Sequence, residues 1–115
     1  VDKVRVTTDF DWGIGRVACS GEIKEGKRIK DEILVDKYFF SEGLYIRAWE
    51  HGDRIIEKNK KISDILIKMK IPLFFKNKYP IVEDSKGNIV WVPGAYFNKK
   101  YESNSIEGQR ILWIE

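Results

Sequence analysis

Lys60, Lys61 and Lys68 are the side chains of this sequence best placed to do chemistry, and the chemistry is phosphate binding. They stand in the run Lys60-Lys61-Ile62-Ser63-Asp64-Ile65-Leu66-Ile67-Lys68-Met69-Lys70-Ile71-Pro72. The spacing predicts a short amphipathic helix over Lys60–Lys70, stopped by Pro72. At roughly 100° per residue, Ile62, Ile65, Leu66 and Met69 share one face at the i, i+3, i+4, i+7 spacing of a core-facing stripe. The three lysines fall on the other side, with Asp64 among them. An ammonium group is a compact point charge that suits a phosphate oxygen. Arg47, Arg54, Lys76 and Lys78 form a second tier of candidate phosphate contacts, and Tyr96, Trp49 and Tyr79 are candidates for stacking or ribose contact. Each has a plainer reading beside it. A lysine face also keeps a domain soluble, and strand aromatics are more often core.

Charge distribution carries more than the total. The formal net charge is +3, too small to announce a nucleic-acid binder. Residues 47–78 nevertheless hold nine Lys/Arg against four acids, a local +5 flanked by segments that together carry −2. A cationic patch on a near-neutral body is enough to steer an RNA, with affinity that falls as salt rises.

Other constellations do not assemble an active site. Gly13-Ile14-Gly15-Arg16-Val17-Ala18 fits the G-x-G-x-x-A dinucleotide fingerprint literally, but Asp9-Phe10-Asp11-Trp12 precedes it where an apolar strand is needed. It reads as a turn entering a strand. His51 is the single histidine and Cys19 the single cysteine, so neither a metal site nor a cysteine–histidine nucleophile is indicated. Asp9 with Asp11, and Glu83 with Asp84, read as turn formers or surface charges. Asp53 beside Arg54 reads as an ion pair or a turn brace. No catalytic or metal-ligating residue is therefore assigned.

The elements that must position the lysines are mostly strands. Val4 to Val6, Arg16 to Ser20, Arg28 to Asp36 and Leu44 to Trp49 carry β-branched and aromatic residues between turn signals. A turn at Lys24-Glu25-Gly26-Lys27 joins the second and third, and His51-Gly52-Asp53 ends the fourth. Pro72 and Pro80 bracket an irregular basic-aromatic segment. Pro80–Glu83 and Asn88–Val92 read as a hairpin around Asp84-Ser85-Lys86-Gly87, and Gln109–Glu115 as a buried closing strand. Length fits one domain over 1–115 with a single modest core. The pattern predicts an α+β domain, antiparallel sheet packed on itself and on one main amphipathic helix. No apolar run approaches the roughly eighteen residues needed to span a membrane, and the lone cysteine favours a reducing, cytoplasmic setting. The start at Val1 reads as a processed or excised piece of a longer protein.

Taken in order, Gly52-Asp53-Arg54, Lys60-Lys61-Ile62-Ser63-Asp64, Lys70-Ile71-Pro72 and Val90-Trp91-Val92-Pro93-Gly94 resemble the C-terminal domain of bacterial tRNA(Ile)-lysidine synthetase. Ile33-Leu34-Val35-Asp36 and Leu44-Tyr45-Ile46-Arg47 resemble the strands entering that motif, so the match runs over 32–101. There are departures. The segment between Arg54 and Lys60 is shorter than usual in the family, Trp49 and Tyr96 stand where arginines are expected, and Lys76 replaces an arginine.

The resemblance implies a small β-sandwich layered with helix, related in fold to a domain of the phenylalanyl-tRNA synthetase β subunit. It implies tRNA binding through Lys60, Lys61 and Lys68, with Arg47, Arg54, Lys76, Lys78 and Tyr96 in support. The partners would be the tRNA acceptor stem and body and an N-terminal catalytic domain, with homodimerisation left open. That catalytic domain would use ATP and Mg to join lysine to the wobble cytidine of tRNA(Ile) carrying a CAU anticodon. Its Ser-Gly-Gly-x-Asp-Ser loop is not found here, since Ser20-Gly21 is followed by Glu22. This chain alone would then need no cofactor and perform no reaction. The alternative is a protein-interaction or dimerisation module of the same fold that does not touch RNA.

Overall fold

The computed structural model describes residues 3–19 and 28–115. In chain order the elements begin with β1 (Val4–Arg5), β2 (Phe10–Asp11), β3 (Arg16–Ala18), β4 (Ile29–Val35), α1 (Lys37–Glu42) and β5 (Leu44–Ala48). They continue with β6 (Arg54–Ile55), β7 (Lys60–Lys61), α2 (Ile62–Lys68), α3 (Leu73–Lys76), β8 (Pro80–Asp84), β9 (Ile89–Val92), β10 (Tyr96–Phe97) and β11 (Gln109–Ile114). The expected turn at 24–27 lies outside the described residues.

Two antiparallel sheets form the body. One has the order β1-β5-β8-β9-β10, the other β2-β3-β11-β4, and β6 pairs with β7 in a separate hairpin. The α+β class and the sandwich-like packing expected from the sequence are what the structure contains. The period of two along a strand supplies the reason: Leu44 and Ile46 of β5 and Ile111 and Trp113 of β11 face the inter-sheet core, while Leu112 and Ile114 are buried on the other face of β11 with Ala18. Val17, Ile33, Leu44, Trp91, Ile111 and Trp113 close against one another between the sheets, all at most 5% exposed. Trp91 and Trp113 are fully buried, as expected of core residues. Trp91 Nε1 donates to Asp31 Oδ2 at 2.8 Å, and the Gly94 amide donates to the same oxygen at 2.7 Å, so Asp31 on β4 ties the second sheet to the end of β9.

The Gly13-Ile14-Gly15 segment is a hairpin turn between β2 and β3, closed by Trp12 N–H to the Gly15 carbonyl at 2.8 Å. A Cβ on Gly15 would sit 2.4 Å from Trp113 Cζ2, so glycine is there to admit an indole rather than a pyrophosphate. Several elements differ from the sequence reading. Phe10–Asp11 is a strand because it pairs with Arg16–Val17, although no alternation announces it. Lys37–Glu42 is a helix capped by Asp36, whose carboxylate accepts from the Tyr38 amide at 2.8 Å. The segment between the prolines contains the single helical turn α3.

The principal helix is also shorter than its expected span. It begins at Ile62, because Lys60 and Lys61 are held in β7 by pairing with Ile55 and Arg54. It ends at Lys68, and Lys70 beyond it adopts a left-handed backbone with φ of 58° before Pro72. The apolar stripe is as expected: Ile62 and Leu66 are fully buried, with Ile65 and Met69 half-buried beside them. Their partners are Trp49, Ile55, Tyr79, Ile81, Val92 and Tyr96, a second cluster on the flank of the five-stranded sheet.

Candidate nucleic-acid interface

The second cluster is roofed by the β6–β7 hairpin and α2, and the gap between them is a cleft of about 240 Å³. Three lysines line it: Lys58 from the turn joining the hairpin strands, Lys60 from β7 and Lys68 from the last turn of α2. Its floor is apolar, made by Ile55, Ile65 and Met69 with the ring of Tyr96, and Ala95 closes one side. No carboxylate lines the cleft among the described residues. Glu57 lies just outside it and accepts a hydrogen bond from the Tyr96 hydroxyl. That bond and burial hold the Tyr96 phenol far above its ordinary pKa, burial being the larger cause. Tyr96 is therefore neutral and fixed, with Lys58 Nζ 5.6 Å over its ring centroid.

Local backbone chemistry builds this arrangement. The chain turns between β6 and β7 through one 3-10 turn, Ile56–Lys58, closed by Asn59 in a left-handed conformation with φ of 50°. Asparagine tolerates that region better than most residues. The Asn59 side chain then accepts from Arg54 Nη1 across the hairpin. In an antiparallel pair, directly opposed residues share a face and neighbours alternate. Lys60 is opposite Ile55 and so faces the cleft, whereas Lys61 is opposite Arg54 on the other face. The Ile62 amide donates to the Asp53 carbonyl at 3.0 Å, tying the start of α2 to the turn residue just before β6.

The other expected site residues are dispersed. Arg47 does not reach the surface: it is 8% exposed and its guanidinium is held internally. Nη1 and Nη2 donate to the two carboxylate oxygens of Asp53, each at 2.9 Å, and Nε donates to Glu83 Oε1 at 3.1 Å. Asp53 also accepts from the Glu50 amide, so of the two expected roles it is a turn brace, and its ion pair is with Arg47 rather than Arg54. Arg47 is a structural cation because both acids reach it from adjoining chain segments, and the hydrogen bond to Asp53 chiefly raises its pKa further.

Lys76 and Lys78 do not line the cleft; they sit at and after α3, and Lys78 Nζ lies 5.4 Å over the Phe74 ring. Trp49, Tyr79 and Tyr96 all take the plainer reading of buried aromatics, at 5%, 3% and 9% exposure, and of the three only Tyr96 also lines the cleft. Trp49 Nε1 donates to the Lys76 carbonyl at 2.6 Å, and the Tyr79 hydroxyl donates to the Pro93 carbonyl at 2.6 Å. His51 is exposed in its turn, edge-on to Trp49.

Sequence reasoning missed Lys58. It stands outside the apolar stripe, and only the hairpin fold-back brings it beside Lys60. Two lysines flanking an asparagine, Lys58-Asn59-Lys60, are the signal that a tight turn would place both at one end of a hairpin. Of the candidate acids, Glu83 is neither turn former nor surface charge but a buried strand residue bonded to Arg47, while the others bind nearby turn and strand groups. Asp84 accepts from the Lys86 and Asn88 amides at 2.9 Å each, from the Asn88 side chain at 3.0 Å and from the Tyr101 hydroxyl at 2.7 Å. Burial alone would raise its pKa, but these donors together hold it below the usual range. Asp9 binds Arg16 and the Cys19 amide, and Asp11 accepts from the Gly13 amide. Among the described residues no three of His, Cys, Asp or Glu come together as a metal ion would need. No helix among them is long and apolar enough to cross a membrane.

The chain is similar to known proteins along most of this architecture. A family model described as the TilS substrate C-terminal domain matches residues 44–113. The tRNA(Ile)-lysidine synthase of Geobacillus kaustophilus (strain HTA426) is 41% identical over 86 residues, covering 71% of this chain and 18% of that protein. That of Bacillus licheniformis is 46% identical over 55 residues, covering 44% of this chain and 12% of that protein. A solved structure described as the crystal structure of TILS C-terminal domain superposes with a TM-score of 0.60 at 28% identity, covering 86% of this chain and 81% of that one. The chain thus spans less than a fifth of the length of these two synthases.

Proposed function

Because this chain belongs to the TilS substrate C-terminal domain family, we propose that it binds tRNA and positions it for a catalytic domain elsewhere in a longer protein. The observation that carries this reading is the cleft itself, where Lys58, Lys60 and Lys68 converge with no carboxylate beside them among the described lining residues. Three ammonium groups lining one small cleft cost repulsion, and that cost is offset when a polyanion sits among them. Lys61 and Arg54, on the opposite face of the hairpin, give a second row of phosphate contacts. Lys76 and Lys78 extend the basic surface along α3. Arg47 is excluded from the contacts and serves instead to hold the turn from which the hairpin springs.

Such contacts orient an RNA without reading its sequence. The parent protein would be a tRNA(Ile)-lysidine synthase acting in the cytoplasm on tRNA(Ile) with a CAU anticodon. ATP and Mg would belong to its catalytic domain. Holding the tRNA acceptor stem and body far from the reacting cytidine would spend binding energy on orientation.

The test is binding of this chain to a CAU-anticodon tRNA(Ile) transcript, titrated across salt, with tRNA(Met) as comparison. Salt-sensitive binding that favours the isoleucine tRNA supports a domain that helps select the substrate. Equal, salt-sensitive binding to both supports a backbone clamp. No binding at low salt would overturn the reading in favour of a protein-interaction module.

A further inference from the structure

The cleft is built for more than a phosphate, and we infer that it takes one unpaired RNA nucleotide, its base on the apolar floor and its phosphate among the lysines. This rests on the tRNA-binding reading and goes beyond it. A duplex presents charge on a convex ridge and keeps its bases stacked inside. Lysines on a flat or convex surface would serve such a ligand, with no use for an apolar recess. Here the cations rim a recess whose open apolar lining is the half-buried Ile65 and Met69 and the exposed Ala95, with Ile55 and Tyr96 buried behind them at 2% and 9% exposure, a lining that a phosphate alone would leave unused. An unpaired base has a π-face that seeks apolar or aromatic contact, and its own phosphate lies one ribose away. At about 240 Å³ the cleft is smaller than the roughly 300–1,000 Å³ of drug-sized sites, a scale for one nucleotide and not for a helix.

Two details fit this occupant. Lys58 Nζ lies over the Tyr96 ring at 5.6 Å and Tyr96 is 9% exposed, so a base reaches this ring only as the lysine swings away to its phosphate. Gly94, with φ of 82°, lets the chain leave β9 close to Met69: a Cβ there would lie 3.4 Å from the Met69 methyl carbon. Ala95, next in the chain, is exposed with a side chain too small to fill the recess.

Met69 is the single methionine of the sequence, so its methyl group is a unique reporter on the cleft floor. The experiment follows the ¹³C-methyl signal of Met69 while the chain is titrated with a single-stranded RNA hexamer, an abasic hexamer of the same backbone, a short blunt RNA duplex, and AMP. Expected is a ring-current shift with the single-stranded hexamer, none with the abasic hexamer or the duplex, and only weak binding of AMP. Ala95→Trp, which fills the recess and keeps every lysine, should weaken hexamer binding about tenfold, the scale of losing one stacked base, and leave the salt slope of tRNA binding in place. Binding of the hexamer and the abasic strand alike, with Met69 unmoved, overturns the nucleotide slot and leaves the tRNA-binding reading standing. AMP binding more tightly than the hexamer also overturns it, in favour of a free-nucleotide site. If no RNA binds at low salt, both readings fall together.

Discussion

The two apolar clusters of this domain have different constructions. The one between the sheets is closed by strands of up to seven residues, and buries Trp91 and Trp113 completely. Its polar tie, Asp31 to Trp91 and Gly94, is made at the half-buried edge of the core. The one on the flank is assembled from two-residue strands, a three-residue turn and a seven-residue helix. β6 and α2 bury one side through Ile55, Ile62 and Leu66, while the turn and β7 are wholly exposed. A seven-residue helix or a hairpin of this size has no stability of its own in water. Both are held by Ile55, Ile62 and Leu66 against the sheet and by the Arg47–Asp53–Glu83 network at their base. The comparison teaches a division of labour: the sandwich specifies the fold, and the flank presents cations at a place the sandwich fixes.

That division can be broken deliberately. Trp91→Ala attacks the sandwich and should cost about 3–5 kcal/mol, read as a large fall in thermal midpoint with RNA binding lost alongside folding. Arg47→Ala strips the shared cation from Asp53 and Glu83 and should cost about 3 kcal/mol. Hydrogen exchange should then show the β6–β7 hairpin and α2 opening before the sandwich does, and simultaneous opening of both regions would contradict the division.

Lys60→Ala with Lys68→Ala should leave the melting temperature nearly unchanged while lowering tRNA affinity about tenfold and reducing its salt slope. A loss of stability on the scale of Arg47→Ala would show that these lysines hold the fold.

Alkaline pH acts on both clusters. Cys19 is pushed up to about 11, by burial first and then by Asp9. Tyr79, Tyr96 and Tyr101 are raised well above 10, burial leading in each. A raised folded pKa means the unfolded chain loses its proton first, so stability is full below the unfolded values and falls as pH rises through about 9 to 11 and beyond. Melts at stepped pH check the sign, and Tyr101→Phe should make the fall shallower.

Least of all, Lys61→Ala should change tRNA affinity about twofold, because it removes one exposed contact of the second row and leaves the cleft intact. Equal losses from Lys60→Ala and Lys61→Ala would mean that the cleft is not the place where RNA is held.

Much of the fold was legible before any coordinates. The stripe of Ile62, Ile65, Leu66 and Met69, the hairpin around Asp84–Gly87 and the buried closing strand follow from period and turn residues, which are properties of neighbouring positions. Phe10–Asp11 and Tyr96–Phe97 were not legible, because two-residue strands exist only through their partners. The helix start was misplaced for the same reason: Lys60 and Lys61 have good helix propensity, and pairing with Ile55 and Arg54 overrides it. Of the candidate site, Lys60, Lys68 and Tyr96 come together in the cleft, while Arg47 turns inward to two acids that no local pattern links to it.

The sequence by itself determined the family, the α+β class, the position of the apolar stripe and the presence of a basic middle segment, since each is written in residue type and short-range spacing. Tertiary structure alone decided which of the cations act together. Lys58, Lys60, Lys68 and Tyr96 share one cleft because a left-handed turn at Asn59 folds β7 onto β6 and the sheet brings residue 96 beneath them. Those are contacts between segments up to 38 positions apart. Periodicity fixes the direction a side chain takes from its own element, and only packing between elements fixes what it meets there.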